Sequence, residues 1–205
     1  MSKRSILIGG GGHGVSLAEA VIRQGYELEG VLDQGMLPGT EILPGLHVLA
    51  DDELLVDLRR EGIVHAFIGL GGATNNEGRR MLYEKAFEAG YNLPPVIHPA
   101  ASVGPGCELS PAVQILAGAS VGPRCRVGVN AIINQGAVVC HGAVIGDHAH
   151  VAPGSTLGGD VRVGECSTIG LGATVLFGVT IGANVLVHAG ARVLTDIPDG
   201  ATVRA

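Results

Sequence analysis

The sequence contains no tryptophan, and aromatic residues make up only 3% of it. Its core must therefore be aliphatic, which suits a narrow interior. Basic residues are also few: 13 Lys and Arg stand against 19 Asp and Glu, a net charge of −6 that argues against a nucleic-acid surface. No apolar run approaches the length of a membrane span. Ile6-Leu7-Ile8, following Ser2-Lys3-Arg4, is too short for the apolar region of a signal peptide. These absences predict a cytoplasmic protein that works without nucleic acid or membrane. The four cysteines include no CxxC pair and suggest no zinc site. The length of 205 residues allows one or two domains and a sizeable core.

What is present is a six-residue rhythm. An aliphatic residue recurs at every sixth position as Ile97, Val103, Leu109, Ile115, Val121, Val127, Ile133, Val139, Ile145, Val151, Leu157, Val163, Ile169, Val175, Ile181, Val187 and Val193. Two places before each, from Val103 onward, stands Ala, Ser, Cys or Val. A hexapeptide period is the signature of a parallel β-helix. Three hexads make one triangular coil of 18 residues with the aliphatic and small residues inside, so seventeen hexads make between five and six coils. Gly, Pro and Asn follow the aliphatic position, as in Val103-Gly104-Pro105-Gly106 and Ile181-Gly182-Ala183-Asn184, and supply the tight corners. Lys is absent from the coils, and no inserted loop breaks the register. Cys107 and Cys125 occupy inward positions in adjacent coils and should stack as core residues, a disulfide being disfavoured in a reducing cytosol. Ile132, Val138 and Val144 are outward yet apolar, an apolar belt at one level that suggests contact with another chain.

Before the coils, strands and helices alternate. Ser5-Ile6-Leu7-Ile8 reads as a buried strand, 15–24 as a helix, 27–32 as a second strand ending at Asp33, 51–60 as a helix, 63–68 as a third strand and 75–89 as a helix. This predicts a small parallel sheet with helices packed on it. Gly9, Gly11 and Gly14 satisfy GxGxxG, with Asp33 about 20 residues on, the dinucleotide fingerprint. Alone, that motif suggests a dehydrogenase. The region is too short for two mononucleotide halves, so a dinucleotide would lack its second seat. The physical reading is a phosphate on the glycine loop and helix N-terminus, against a purely structural role for the glycines.

Gly10-Gly11-Gly12-His13-Gly14, followed by Ile97-His98-Pro99-Ala100 opening the hexads, resembles the bacterial sugar acyltransferases of the sialic-acid and bacillosamine type. Within that group the chain is most similar to the nucleotide-linked 4-amino-sugar N-acetyltransferases, those acting on perosamine included. The resemblance spans almost the whole chain. It implies a Rossmann-like α/β domain at 1–95 that holds a nucleotide-linked amino sugar, then a left-handed parallel β-helix at 96–205 that binds acetyl-CoA and closes a homotrimer. The left hand comes from the resemblance, since general rules favour right-handed crossovers. It further implies a place in O-antigen or related polysaccharide synthesis. Matched by motif, Gly12, His13, Gly14, Asp33, Gln34 and Gly71 would touch the substrate, and His150, Leu171 and Ala189 would touch acetyl-CoA.

The segment from Asn130 to His141 is similar to the family segment that ends in a catalytic histidine. His141 falls at an outward corner between Pro123 and Gly159 in the neighbouring coils. Acyl transfer to an amine needs a base for the amine proton and a donor for the developing oxyanion. A neutral imidazole suits the first, and the backbone N–H of Cys140 is the candidate for the second. Cys140 as a covalent nucleophile competes poorly, because neighbouring side chains in a β-helix diverge. The family places Glu or Asp directly after the histidine, where this chain has Gly142. Either another group orients His141, or its basicity is lower, or the residue has been changed. The pair His148 and His150 invites a metal reading, but no third ligand has a convincing spacing. The family tail beyond the last coil is absent or trimmed here. Two other readings remain open: O-acetylation of a sialic-acid-type sugar, and a non-catalytic nucleotide-sugar-binding or scaffold protein.

Overall fold

Residues 5–8 are all buried, and they form the body of β1 (Arg4–Ile8), an interior strand of the N-terminal sheet in a computed structural model that describes residues 3–72 and 75–205. The flanking strands β2 (Glu27–Leu32) and β5 (His65–Ile68) run parallel to it. The sheet extends through β4 (Leu46–Ala50), parallel to β2, to the antiparallel edge strand β3 (Glu41–Leu43). This β3–β4 hairpin was not among the expected strands. Its signal was Pro44-Gly45 between short apolar stretches, with Gly45 at a φ of 78°.

Helix α1 (Gly12–Arg23) begins three residues before the expected start, inside the glycine loop. Its Leu17, Ala18, Ala20 and Val21 pack on Leu7, Val31 and Phe67. On the opposite face Leu55 and Leu58 of α2 (Leu55–Arg60) and Ala86 of α3 (Glu77–Glu88) pack on Ile6, Ile8, Leu32 and Ile68. The sheet is therefore covered on both sides, as parallel strands require. The segment expected as one helix from residue 51 opens with a 3-10 turn, Asp52–Leu54, before α2.

From Val96–Ile97 to Thr202–Val203 every strand is two residues long and pairs in parallel with the strand one coil away. The strands stack into three flat faces of six, five and seven members, the left-handed β-helix. The first face carries Val138–Val139, the second Val144–Ile145, and the third Ile132–Ile133 and His150–Val151. The predicted inward residues form one aliphatic column; each fully buried Val, Leu or Ile contributes roughly 1.5–3 kcal/mol. Cys107 and Cys125 are free thiols stacked in this column, donating to the carbonyls of Gly122 and Cys140 respectively at 3.1 Å.

The corners divide the glycine roles more finely than the pattern suggested. The glycine directly after the aliphatic residue is required by close approach: a Cβ on Gly122 would stand 2.6 Å from the His141 nitrogen. Left-handed geometry falls two places later and is not reserved for glycine, since Arg124 and Asp160 adopt φ values of 59° and 58°.

The three faces differ in what lies outside them. Outward residues of the first and second faces are mostly exposed, whereas Gln114, Ile132, His150 and Thr168 of the third are buried beneath the N-terminal domain. The apolar belt is thereby corrected. Its members lie on three different faces, and Ile132 is fully covered within the chain. Only Val138, 37% exposed, and the half-buried Val144 remain for a partner.

The N-terminal domain is fastened by Arg79 of α3, which is wholly buried. Its guanidinium donates to the carbonyl of Asn130, to that of His148 at 2.6 Å and to Asn76 Oδ1 at 2.7 Å. Asn76 in turn donates to the Cys166 carbonyl and Thr168 Oγ1 at 3.0 Å. Burial pulls the Arg79 pKa down to about 10, leaving it charged at neutral pH with carbonyl dipoles as its partners. At the other end of the contact His98 meets Glu19 of α1 at 2.9 Å. Replacing Arg79 by Ala should leave these buried carbonyls unpaired and cost about 3 kcal/mol or more, read as a lower denaturation midpoint. An unchanged midpoint would mean that the network does not hold the two parts together.

Candidate active site

Two cavities lie about the C-terminal ends of β1, β2 and β5, with no lining residue in common. The first, about 530 Å³, is lined by Ile8, Gly9, Leu32, Asp33, Gln34, Asp52, Leu70, Met81 and Lys85. The second, about 370 Å³, lies against the third face of the coils and is lined by His13, Gly71, Gly72, Asn134, His150, Thr168 and Leu171. Gly9 precedes α1 and His13 lies in its first turn, while Leu70 and Gly71 are neighbours after β5, so the two cavities flank the same pair of segments. Between them the N-terminus of α1 presents Gly11 and Gly12, where an added Cβ would meet nothing within 4 Å. That opening, lined by the first N–H groups of a helix, is suited to phosphate.

The first cavity is apolar on its floor and polar at its rim. Asp33 accepts from the Gly10 N–H at 2.7 Å and the Gly35 N–H at 2.8 Å, so its carboxylate holds the glycine loop in place. Gln34 donates to Asp52 Oδ1 at 2.6 Å, and Lys85 to Asp52 Oδ2 at 2.8 Å. Burial works to raise the Asp52 carboxyl, but the Lys85 and Gln34 hydrogen bonds outweigh it and hold the group below its ordinary range. Gly14 faces neither cavity. It is packed so tightly against the Gly9 carbonyl that a Cβ there would collide.

In the second cavity His13 Nε2 stands 2.7 Å from Gln114 Oε1, while Gln114 donates its amide to the Ile68 carbonyl at 2.8 Å. This pairing makes His13 Nε2 the protonated nitrogen. His150 Nδ1 faces the Gly72 carbonyl, which can only accept, and His150 Nε2 accepts from the Asn134 amide at 3.0 Å. His150 is therefore a neutral ring of defined tautomer. Burial is the main reason its pKa falls from 6.5 to about 4, helped by the Arg79 and His13 charges and opposed by the Gly72 bond. Burial lowers His13 as well.

Leu171, 60% exposed, continues from the second cavity up a corner column to the exposed Ala189. The Gly172 N–H donates to the Pro153 carbonyl, and the Gly190 N–H to that of Leu171. The N–H groups of Leu171 and Ala189 themselves have no acceptor among the described residues, so this column offers donors to an extended ligand. The same holds at the corner of His141, which explains why Pro105 and Pro123 are tolerated in that column. Cys140 differs: its N–H donates to the Leu157 carbonyl at 3.0 Å. It is thus spent in the inter-coil ladder and is not free to serve an oxyanion, which corrects that expectation.

His141 and Cys140 lie in neither cavity. The corner they occupy follows the first face, whereas both cavities belong to the third-face side. The structure thus unites His13, Gly71, His150 and Leu171, keeps Asp33 and Gln34 in the adjoining cavity, and leaves His141 apart. Sequence reasoning missed Gln114, Gly72, Asp52 and Lys85. Gln114 had a signal, being a polar residue between the apolar outward positions Val96 and Ile132 of the neighbouring strands. His148 is held by Asn130 at 3.0 Å and by the Tyr83 ring, and among the described residues no group of three or more ligating side chains could hold a metal. No helix among them is long and apolar enough to cross a membrane.

Stacked hexads with an α/β domain docked on one face define a hexapeptide-repeat acyltransferase. Residues 4–86 match the PglD N-terminal domain family, and residues 118–158 and 160–194 match the hexapeptide repeat of succinyl-transferase. No curated protein matches the sequence. Among solved structures, PerB from Caulobacter crescentus in complex with CoA and GDP-perosamine is 37% identical, with 97% of this chain and 92% of that one covered and a TM-score of 0.90. The same enzyme, GDP-perosamine N-acetyltransferase, has been solved with a histidine replaced by Ala or Asn. The acetyltransferase domain of PglB from Neisseria gonorrhoeae, in complex with acetyl coenzyme A, is 32% identical, with 98% and 96% covered and a TM-score of 0.88. The chain belongs to this family of bacterial sugar acyltransferases.

The neutral state of His150 makes folding pH-dependent. Unfolding releases the ring to an ordinary pKa, so the unfolded chain binds a proton that the folded one refuses. Stability is complete above 6.5 and declines as pH falls toward 4, by roughly 3 kcal/mol from this residue. Denaturation of the unliganded protein across that window should show the decline, and His150→Gln should flatten it. A flat profile in the unmodified protein would show that the ring is not buried neutral.

Proposed function

We propose that the protein transfers the acetyl group of acetyl-CoA to the 4-amino group of a nucleotide-linked deoxy-amino sugar. The observation that carries this reading is that the two cavities draw on the same two segments, the glycine-rich stretch 9–13 and the stretch 70–72. A nucleoside fits the apolar first cavity, its phosphates lie at the α1 N-terminus, and the sugar extends toward His13 and the coils. GDP-perosamine, bound in the relative from Caulobacter crescentus, has this layout of base, diphosphate and amino sugar. Acetyl-CoA lies along the column of Leu171 and Ala189, using the unengaged corner N–H groups, with its acetyl end at His150.

His141 acts as the general base. As the amine attacks the thioester carbonyl, the imidazole takes the amine proton, an unengaged corner N–H stabilises the oxyanion, and the thiolate of CoA leaves. Cys140 forms no acyl intermediate. Because His141 and the cavities lie on different corners, the site is completed by another copy of the chain. A homotrimer, with the His141 corner of one subunit against the cavities of the next, satisfies this. The composition favours a cytoplasmic location, where nucleotide sugars and acetyl-CoA meet.

Thiol release from acetyl-CoA tests the reaction. Turnover with GDP- or UDP-linked 4-amino sugars is the expected result. Turnover with hydroxyl acceptors alone would replace it by O-acetylation, and none with a broad panel would leave a binding or scaffold role. In the same assay His141→Asn should lower kcat by roughly 10²–10⁴-fold while leaving the fold intact. The fall of kcat/KM toward acid, where the imidazole takes up a proton, should vanish with it. Near-normal activity of that variant would assign the proton to another group. Val138→Glu should weaken the trimer by burying a carboxylate at the interface, and an unchanged sedimentation coefficient would place Val138 outside it.

A further inference from the structure

His141 and Gly142 take the corner of one coil, and Gly159 and Asp160 hold the same two places one coil above. The Asp160 N–H donates to the His141 carbonyl at 2.9 Å, so the two corners are locked in register. The His141 ring leans upward: a Cβ on Gly159 would stand 2.5 Å from its Cε1 and 2.7 Å from its Nε2. The Asp160 side chain leans downward, so that a Cβ on Gly142 would collide with its Oδ1. Ring and carboxylate thus enter the same gap between coils from opposite sides, each lying over a glycine. The other charged member of this column, Arg124 one coil below, turns away, its Cγ 3.5 Å from where a Cβ on Gly106 would lie. Asp160 holds the left-handed backbone (φ 58°) that places its carboxylate there, although glycine fills the equivalent places at Gly106, Gly142 and Gly178.

We propose that Asp160 is a positioning residue for His141, its carboxylate filling the volume that a side chain at residue 142 would occupy. This rests on the reading of His141 as the base. The carboxylate accepts a hydrogen bond from one ring N–H, which fixes the tautomer and leaves the other nitrogen free for the amine proton. Its negative charge stabilises the imidazolium that forms. No hydrogen bond joins the two groups in the free chain. Both side chains are exposed and nothing but glycine separates them, so turning about side-chain bonds closes the contact as the acceptor enters. Catalytic hydrogen bonds commonly tighten in this way on binding.

The test is kcat/KM against pH in the thiol-release assay, using the full chain. Asp160→Asn, which suits the left-handed backbone and preserves volume, should lower kcat/KM by roughly 10- to 100-fold. It should also move the acid limb to lower pH, because loss of the negative charge makes the ring harder to protonate. The exchange variant Gly142→Asp with Asp160→Gly should restore rate and limb, and Asp160→Asn should cost nothing further in His141→Asn. Unchanged rate and limb in Asp160→Asn, with His141→Asn impaired, would overturn the positioning role and leave the base assignment standing. A loss that persists undiminished in the His141→Asn background would also overturn it. An unimpaired His141→Asn would remove the base assignment and this proposal with it.

Discussion

The closeness with which successive coils stack at their corners governs this molecule. A Cβ on Gly104, Gly122 or Gly158 would meet backbone of the next coil at 2.5–2.6 Å, so these positions must lack a side chain. With the corners closed that tightly, the interior admits only one aliphatic and one small residue per side, which accounts for the near absence of aromatic rings. The same stacking aligns residues 18 apart into columns. His141 sits under Gly159 and Leu171 under Ala189 because of it, and the register leaves no freedom to move either.

A prism with three similar faces has no inherent active side. Asymmetry comes from α3, whose Arg79 inserts a buried cation among the carbonyls of Asn130 and His148 and commits the third face to the N-terminal domain. That contact turns outward positions into an interior and makes His150 a neutral ring. It also brings the glycine loop to the coil surface through His13 and Gln114. A buried cation satisfied by backbone dipoles is costly to form, and it specifies one docking arrangement because no other face presents the same carbonyls and the polar Thr168 together.

The candidate site residues fall in two kinds of place. The cavities are enclosed, contain the buried histidines, and can orient a substrate through fixed hydrogen bonds. The His141 corner is exposed and flanked by glycines. The two cavities and the His141 corner therefore face different directions on one chain, which is the geometry that the proposed assembly answers.

Periodicity alone determined the coils. Each inward residue from Ile97 to Val193 was legible because a six-residue side admits one register, and Cys107 over Cys125 followed from the same count. The glycine loop, the strand before it and the helix after it were also legible, although α1 began earlier because a helix's first turn needs no donors of its own. The β3–β4 hairpin escaped, being an edge element with weak alternation. Only the tertiary structure decided that Ile132 is covered, that the Cys140 N–H is spent on Leu157, that Asp33 serves the glycine loop, and that Asp160 fills the space above Gly142. These depend on which atoms meet across 18 residues or across the docked domain. A local pattern states which way a side chain points, and long-range packing alone states what it finds there.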